Sequence, residues 1–308
     1  MAKLFSNVNA KTWAIIGLVI FAIIIFNYYA QKKEGFESDN KIPNVIWTFW
    51  DGDLPPLVKV CVDSWKRHNP EYKIIVLNKQ NIQEYLPEPD LSKMRHVNDF
   101  VQRYSDFVRI HILAKYGGIW LDSSVICNKP LSWIHDIQNK TGAEYIGYFT
   151  DNMTLPEYRE KSPVIENWAF ACIPESQFIK DWRDEMASFT KYDKVLDYSN
   201  EVVRSGTNPQ GILGAPNNIE YFAMHLAAQR LLQENREKYN IHLLCAEDTA
   251  LSYLVEPGTR SIIYTADGIT NNAKKIIDKK HADQPLIKLP GYIRDRVEKL
   301  TDDFTNII

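Results

Sequence analysis

Residues 105–125 read SDFVRIHILAKYGGIWLDSSV, and three of the four charged residues in this largely apolar segment, Asp106, Arg109 and Asp122, stand at defined places. Asp106 and Arg109 are three residues apart near its start, so a helix would place them on one face. Asp122 directly follows the apolar triplet at residues 119–121. A surface ion pair and a solvated loop aspartate would explain these charges, but the otherwise apolar helix and the short loop argue against that explanation.

The same segment predicts a helix, a tight turn and a short strand. Apolar residues recur at helical spacing from residue 100 to residue 112. Gly117 and Gly118 predict the end of the helix, because glycine readily adopts the left-handed conformation of a C-terminal cap. IWL at residues 119–121 is typical of a buried strand.

A strand, a helix and a second strand precede this segment and predict a βαβ unit with parallel strands. IPNVIWTFW at residues 42–50 and EYKIIVLN at residues 71–78 are typical of buried strands, and Pro70 ends the apolar helix between them. Further strands and helices alternate along the chain, which predicts an α/β domain with a mostly parallel sheet flanked by helices. Ligands of such sheets bind beyond the carboxyl ends of the strands, so Asp122 is expected at the ligand-binding rim.

Composition narrows the possible classes of protein. The chain has 308 residues, of which 45% are hydrophobic and 24% charged, and this fits one large domain or two small ones. The net charge of −3, with acids and bases mixed, argues against nucleic-acid binding, which needs a basic face. The four cysteines are far apart and form no CxxC pair, so we expect core residues rather than a zinc site. Their spacing leaves a disulfide possible.

Residues 12–30 predict a single membrane-spanning helix. They carry no charge, and about 19 residues at ~1.5 Å each span roughly 28 Å, close to the ~30 Å apolar core of a bilayer. A cleaved signal peptide is the alternative, although Tyr28 stands where its cleavage site would need a small residue. We therefore expect a tail (1–11), an anchor (12–30), a stem (31–41) and a domain (42–308) outside the bilayer.

The orientation of this anchor is left open by the charges around it. Lys3 and Lys11 precede the span, while Lys32 and Lys33 follow it, so the positive-inside rule gives a near tie. A type II orientation with a lumenal domain and a cytoplasm-facing domain are both compatible with this count.

The combination of SDxxR at residues 105–109, YGG at 116–118 and WLD at 120–122 resembles the capsular polysaccharide synthesis glycosyltransferases, which are related to glycosyltransferase family 32. The resemblance is close over about residues 42–130 and looser beyond. It implies a GT-A fold and transfer of a sugar, with retention, from a nucleoside-diphosphate sugar such as a UDP-hexose to a glycan or polysaccharide acceptor. It also implies a divalent metal, Mn²⁺ or Mg²⁺, which would stabilise the negative charge of the diphosphate leaving group.

The resemblance assigns roles to the residues that match the family's motifs. Asp106 and Arg109 match the pair that contacts the donor sugar, and Asp122 matches the first aspartate of the D-x-D motif; these three are the predicted catalytic and donor-binding residues. Trp47 matches the aromatic residue that stacks on the base, although core packing is an equal alternative and Trp50 lies close.

One position departs from the family's pattern. Ser124 stands where many relatives have the second aspartate, and a neutral hydroxyl is a weaker metal ligand than a carboxylate, so metal dependence is an open question. The predicted metal ligands are Asp122, Ser124 and His281. His281 belongs to a C-terminal segment that closes the donor site in relatives, and Lys288 of the same segment is predicted to contact the diphosphate.

Other polar residues have plainer explanations. Residues 51–53 also spell D-x-D, but their place after the first strand predicts a turn. His225 is expected to be a satisfied core histidine, with a catalytic role as the alternative. Glu247 and Asp248 predict a helix start, with an acceptor-site role as the alternative.

Two functions follow from these residues. The first is a membrane-anchored glycosyltransferase with a nucleotide-sugar donor and a glycan acceptor. The second is a non-catalytic, membrane-anchored module of the same fold that binds a sugar or a nucleotide sugar, and Ser124 motivates it. A glycoside hydrolase would need two carboxylates that flank the scissile bond, and the sequence places no such pair.

Overall fold

The computed structural model describes residues 40–205, 218–304 and 307–308, which belong to one compact unit, Asn40–Ile308. The predicted tail, the predicted anchor and nearly all of the predicted stem lie outside these residues. Within the described ranges, none of the helices has the length and apolar composition that crossing a membrane requires.

Strands and helices alternate through most of the domain. The described strands are β1 (Val45–Phe49), β2 (Lys73–Leu77), β3 (Gly118–Leu121), β4 (Val125–Cys127), β5 (Tyr145–Phe149), β6 (Ile165–Cys172), β7 (Ile241–Cys245) and β8 (Leu286–Lys288). The described α-helices are α1 (Pro56–His68), α2 (Ile82–Tyr85), α3 (Val101–Tyr116), α4 (Ser132–Thr141), α5 (Gln177–Ala187), α6 (Val195–Arg204), α7 (Ala223–Asn235), α8 (Ala266–Ile277) and α9 (Gly291–Leu300).

The central sheet has the strand order β2-β1-β3-β6-β5-β7. β1 pairs in parallel with β2 and β3, and β5 pairs in parallel with β7. β6 runs the other way, antiparallel to both β3 and β5. The prediction of an α/β domain with a mostly parallel sheet is confirmed, and the direction of β6 is a feature that the sequence patterns did not predict.

Helices cover β1 on both faces, so all five of its residues are buried. Ile46 belongs to the core cluster that includes Leu57 of α1. On the opposite face, Trp47 stacks on Tyr116 of α3 with ring centroids 5.5 Å apart. A strand buried on both faces carries no alternation of polar and apolar residues, which explains the continuous apolar run in the sequence.

Two glycines make the turn from α3 into β3. Gly117 and Gly118 have φ angles of +60° and +98°, a region that other residues adopt only with strain. Neighbouring backbone also approaches closely, since a Cβ on Gly117 would lie 2.5 Å from the nitrogen of Pro174. Because the turn is this tight, the chain reverses at once, and the first turns of α3 lie beside the carboxyl end of β3.

A two-stranded ladder returns the C-terminal part of the chain to the same edge. β4 and β8 pair antiparallel, with Val125 opposite Lys288. The Leu289 N–H donates to the Ser124 carbonyl at 2.9 Å. The ladder therefore places Lys288 next to the segment that follows Asp122.

Replacing Gly117 by alanine tests the tight turn. Gly117→Ala is expected to lower the free energy of unfolding by about 3 kcal/mol, because backbone overlap adds to the ~1–2 kcal/mol cost of a left-handed residue. Gly258→Ala is the matched control, since Gly258 has a φ of +76° but no atom within 4 Å of its added Cβ, and it should lose only about 1 kcal/mol. Urea unfolding measures both, and equal losses would show that no close approach exists at Gly117.

Candidate active site

A cleft of about 400 Å³ opens at the carboxyl edge of the sheet. Trp50 and Asp51 follow β1 directly, and Asp122 follows β3, so both strands point into the cleft as predicted for ligand-binding residues of an α/β sheet. Further lining residues come from α3, the start of β6, the residues around the start of α7, the C-terminal ladder and α9: Ser105, Asp106, Arg109, Asn167, Tyr221, His225, Lys288 and Arg294.

One guanidinium joins the two predicted aspartates. Nη2 of Arg109 lies 3.3 Å from Oδ1 of Asp106 and 3.4 Å from Oδ1 of Asp122. Asp106 and Arg109 share a face of α3, and the reversal at Gly117 brings that face to the end of β3. Three of the four charges of residues 105–125, those of Asp106, Arg109 and Asp122, therefore form one cluster rather than separate surface contacts.

Arg109 is held on all sides and is only 5% exposed. Its Nη2 donates to Oγ of Ser105 at 3.2 Å, and its Nη1 donates to the Asn167 carbonyl on β6. The guanidinium carbon also lies 5.1 Å from the centre of the Trp120 ring, within the range of cation–π attraction. These contacts fix the guanidinium in place, so it can orient both carboxylates.

Lys288 completes the cluster from the C-terminal ladder. Its Nζ donates to Oδ2 of Asp122 at 2.7 Å and to Oγ of Ser124 at 3.0 Å. Oδ1 of Asp122 in turn accepts a hydrogen bond from Nε1 of Trp120 at 3.0 Å. The structure thus brings together Asp106, Arg109, Asp122, Ser124 and Lys288, five of the residues that the sequence singled out.

The two aspartates differ in their electrostatics. Burial raises the pKa of Asp106 to about 6; the Arg109 guanidinium opposes this rise and the Asp122 carboxylate adds to it. Burial would also raise the pKa of Asp122, but Lys288 and Arg109 together hold it below its ordinary value. Asp122 is therefore ionised at neutral pH, while Asp106 titrates close to neutrality.

Asn167 and His225 line the cleft. Sequence reasoning gave Asn167 no role and kept a catalytic role for His225 only as the alternative. Nδ2 of Asn167 donates to Oδ1 of Asp106 at 3.2 Å, because the antiparallel β6 begins at the edge where β3 ends. His225 is 4% exposed, and its Nδ1 has no hydrogen-bond partner in the described part of the protein. Burial, with Arg109 nearby, lowers the pKa of His225 to about 3, so the ring is neutral.

The expectation of a satisfied core histidine at position 225 is therefore only half right. The ring is buried as expected, but its Nδ1 is a buried atom without a hydrogen-bond partner in the described part of the protein. The helical spacing of the apolar residues around His225 predicted its burial and carried no signal for the cleft.

Trp47 does not lie in the cleft, and its predicted contact with a base is wrong for this structure. Its side chain is fully buried, and its Nε1 donates to the Gly117 carbonyl at 3.0 Å. The alternative, core packing, is what the structure has. Trp50, three residues further, is half-buried and lines the cleft, with its Nε1 donating to the Asp53 carbonyl at 3.0 Å.

His281 is placed apart from Asp122 and Ser124, so the structure does not assemble the predicted set of three metal ligands. Its ring lies 5.3 Å from that of Tyr253, and its carbonyl accepts a hydrogen bond from Asn128, beyond the far end of β4. The ladder separates it from Lys288, which sits at the near end. Residues 281–283 are turns and only residues 286–288 are strand, so His281 lies before the ladder and Lys288 at its other end.

The remaining donor set does not fit a divalent cation. Oδ2 of Asp122 and Oγ of Ser124, the two groups that would hold such an ion, both face the same ammonium group of Lys288. Among the described residues, no group of three His, Cys, Asp or Glu side chains could hold a metal.

Glu247 and Asp248 form no helix start, since residues 246–251 are turns. Glu247 is 1% exposed and accepts hydrogen bonds from Oγ1 of Thr150 at 2.7 Å and from the backbone of Asp151 at 3.0 Å. Asp248 is exposed and pairs with Arg260. Glu247 is therefore the buried support of the loop at residues 150–152.

Three of the four cysteines are core residues as predicted, and the second D-x-D triplet lies where the chain changes direction after β1. All four cysteines are free, and Cys61, Cys127 and Cys172 are buried core residues. Residues 52–53 form a bend in which Gly52 has a φ of +100°, and Asp51 before it lines the cleft.

A family model described as "Capsular polysaccharide synthesis protein" matches residues 20–199, more than half of the chain. No curated protein matches the chain significantly.

Several solved structures resemble the chain at low identity. The PaToxG glycosyltransferase is 17% identical, with a TM-score of 0.40 over 70% of this chain and 78% of that one. The UDP-bound glycosyltransferase domain of the YGT toxin is 10% identical, with a TM-score of 0.42 over 87% and 96%. The galactosyltransferase LgtC, in complex with donor and acceptor sugar analogs, is 11% identical, with a TM-score of 0.39 over 80% and 87%. At these values the likeness says nothing of what this chain binds.

Arg109→Gln is expected to lower the free energy of unfolding by about 3 kcal/mol at pH 7.5, because it leaves two buried carboxylates without their shared cation. The loss should be smaller at pH 5. The folded-state pKa of Asp106 is raised, so the stability that Asp106 contributes is present at low pH and is lost as the pH rises through about 6. Without Arg109 the pKa of Asp106 rises further. The free energy of unfolding therefore falls more at pH 7.5, where Asp106 has to be ionised, than at pH 5, where it stays protonated.

Arg95→Gln is the matched control for this experiment. Arg95 forms an exposed ion pair with Asp193, and removing it should change the stability by less than ~1 kcal/mol at either pH. Urea unfolding at both pH values gives the comparison. Equal losses for the two variants would contradict the buried cluster.

Proposed function

Since the chain belongs to the family of capsular polysaccharide synthesis proteins, we propose that it transfers a sugar from a nucleoside-diphosphate sugar to a hydroxyl group of a glycan or polysaccharide. The family match confirms the membership that the SDxxR, YGG and WLD motifs predicted, and it agrees with the predicted enzyme class, a glycosyltransferase. The observation that carries the proposal is the ammonium of Lys288, held by Asp122 and Ser124 in a cleft at the carboxyl edge of the sheet.

The cationic side of the cleft suits a diphosphate. Lys288 and Arg294 line it, and α9 begins at Gly291 between them, so the positive end of the helix dipole faces the same space. A diphosphate gains negative charge when its bond to the anomeric carbon breaks. Fixed cations that meet this charge lower the barrier to transfer, because they need no reorganisation when the charge appears.

The opposite side of the cleft suits the hydroxyl groups of a sugar. Asp106 offers carboxylate oxygens, and the neutral ring of His225 lines the same side. Asn167 donates to Asp106 and keeps that carboxyl turned to the cleft. Arg109 touches both Asp106 and Asp122, so we assign it the role of fixing the sugar side and the diphosphate side relative to each other.

Trp50 takes over the role that the resemblance gave to Trp47. Its half-buried ring lies at the rim, next to Asp51 and Phe49, where a nucleoside base would extend from a diphosphate held by Lys288. Uracil as the base and a hexose as the sugar are parts of the proposal that rest on the family resemblance.

The transfer itself exchanges one bond for another. The acceptor hydroxyl oxygen forms a bond to the anomeric carbon, the bond from that carbon to the diphosphate breaks, and the hydroxyl proton leaves with a diphosphate oxygen. Retention of the anomeric configuration also rests on the resemblance. Attachment to a membrane through residues 12–30, in either orientation, stays a prediction that concerns residues outside those described.

Asp122→Asn tests the catalytic proposal. The amide leaves Lys288 without its charged partner, so the ammonium is no longer held at the diphosphate, and the rate should fall about 100-fold or more. The full-length protein is incubated with UDP- and GDP-sugars, and the release of free nucleotide is followed. Asp63→Asn on the exposed face of α1 is the control and should leave the rate unchanged.

The outcomes of this assay separate the two functions. Release from one donor, lost only in the Asp122 variant, supports the transferase and identifies the sugar. Binding of a donor without release in the folded wild-type protein would contradict it and favour the non-catalytic module.

Trp50→Ala is expected to weaken the binding of the matching nucleoside diphosphate about tenfold or more, because stacking of a base on an aromatic ring contributes about 1–3 kcal/mol. Trp50→Phe keeps an aromatic face and should retain most of the affinity. Calorimetry measures the affinity, and thermal unfolding confirms that both variants are folded. Equal affinities for the alanine variant and the wild type would place the base elsewhere.

A further inference from the structure

We propose that the ammonium group of Lys288 takes the place of the divalent cation that the family resemblance implies, so that the chain binds its donor diphosphate without a metal. The inference rests on the proposed function, because it concerns how the same cleft holds a nucleoside diphosphate. It follows from the disagreement between the implied metal and the donor set of the cleft.

The position of the ammonium is the first argument. A cation bound by a D-x-D motif would lie between the side chains of residues 122 and 124. Nζ of Lys288 lies there, 2.7 Å from Oδ2 of Asp122 and 3.0 Å from Oγ of Ser124. A metal ion at the same point would have to displace Nζ or lie against another positive charge.

The balance of charge is the second argument. Two carboxylates around a divalent cation sum to zero, and so do one carboxylate and one ammonium. Ser124 in place of an aspartate removes one negative charge, and Lys288 supplies one positive charge instead of two. The serine and the lysine are therefore complementary, which explains why a neutral residue can stand at the second position of the motif.

The rigidity of the lysine backbone is the third argument. The Lys288 N–H donates to the Ala250 carbonyl at 3.2 Å, and its carbonyl accepts from the Tyr253 hydroxyl at 2.7 Å. The side chain is only 13% exposed. A lysine fixed in this way delivers its charge to one point, which a flexible surface lysine would not do.

The hydrogen-bonding capacity of the ammonium is the fourth argument. An ammonium has three hydrogens to donate. Within the described part of the chain, Nζ of Lys288 makes the two hydrogen bonds to Asp122 and Ser124. The third hydrogen is left for an oxygen atom in the cleft, so the same group can hold Asp122 and a phosphate at once.

The experiment measures binding by the full-length protein with UDP, GDP and inorganic pyrophosphate as probes. Calorimetry is run in EDTA and again with excess Mn²⁺, and electron paramagnetic resonance follows free Mn²⁺ with and without the probe. We expect the affinity for at least one probe to agree within about twofold in EDTA and Mn²⁺. We also expect the signal of free Mn²⁺ to be unchanged by the protein.

Two variants that remove the ammonium, one of which also adds a second carboxylate, test the inference by a second measurement of binding. Lys288→Met keeps the apolar stem and should lose binding about 30-fold, with no rescue by Mn²⁺, whereas the exposed control Lys59→Met should not change it. Combining Lys288→Met with Ser124→Asp restores two carboxylates without the ammonium. This double variant should bind Mn²⁺ and depend on it.

Results that contradict metal-independent binding can be told apart from results that contradict the proposed function. Wild-type binding that falls tenfold or more in EDTA and returns with Mn²⁺ would overturn the inference and leave the proposed function standing. Protein-bound Mn²⁺ in the wild type would overturn it too, even without any probe. Absence of probe binding in both EDTA and Mn²⁺ would contradict the proposed function together with the inference.

Discussion

Asp122 is a carboxylate at the end of a central strand, where it is largely shielded from solvent. Its charge has to be paired there, and this pairing determines which side chains meet at the carboxyl edge of the sheet. An unpaired charge in such surroundings would destabilise the fold by several kcal/mol. Arg109 meets it from α3 and Lys288 meets it from the C-terminal ladder, 166 residues away in sequence. The same two ion pairs therefore close the fold and assemble the cleft.

This arrangement divides the cleft into two chemical halves. Around Lys288, Arg294 and the start of α9 the groups are cationic, whereas around Asp106, Asn167 and His225 they are neutral or titrate near neutrality. A nucleotide sugar has the complementary order, an anionic diphosphate followed by a neutral sugar. Arg109 lies between the halves, and its hydrogen bonds to Ser105 and to the Asn167 carbonyl hold its guanidinium in place. The distance between the halves is therefore fixed by α3 and β3 rather than by mobile side chains.

The sequence predicted those parts of the site that local patterns determine. The spacing of three predicted that Asp106 and Arg109 share a helix face, and the strand end predicted that Asp122 lies at the rim of the sheet. The family resemblance added the prediction that all three act at the donor. Trp47 was misplaced because β1 is buried on both faces, so no alternation distinguishes a core tryptophan from one at the rim. Asn167 was missed because its place depends on the antiparallel pairing of β6 with β3, and single-sequence patterns do not determine such long-range pairing. The prediction that His281 is a metal ligand was wrong for a similar reason. The C-terminal segment runs along β4, and this path separates His281 from Lys288.

The central claim is that this charge cluster holds the diphosphate of a nucleotide sugar, and a crystal structure of the chain with a bound nucleoside diphosphate tests it most directly. The account predicts phosphate oxygens within hydrogen-bonding distance of Nζ of Lys288, with the base at Trp50 and Nζ still in contact with Asp122. A nucleotide bound outside the cleft, or phosphates that touch neither Lys288 nor Arg294, would contradict it.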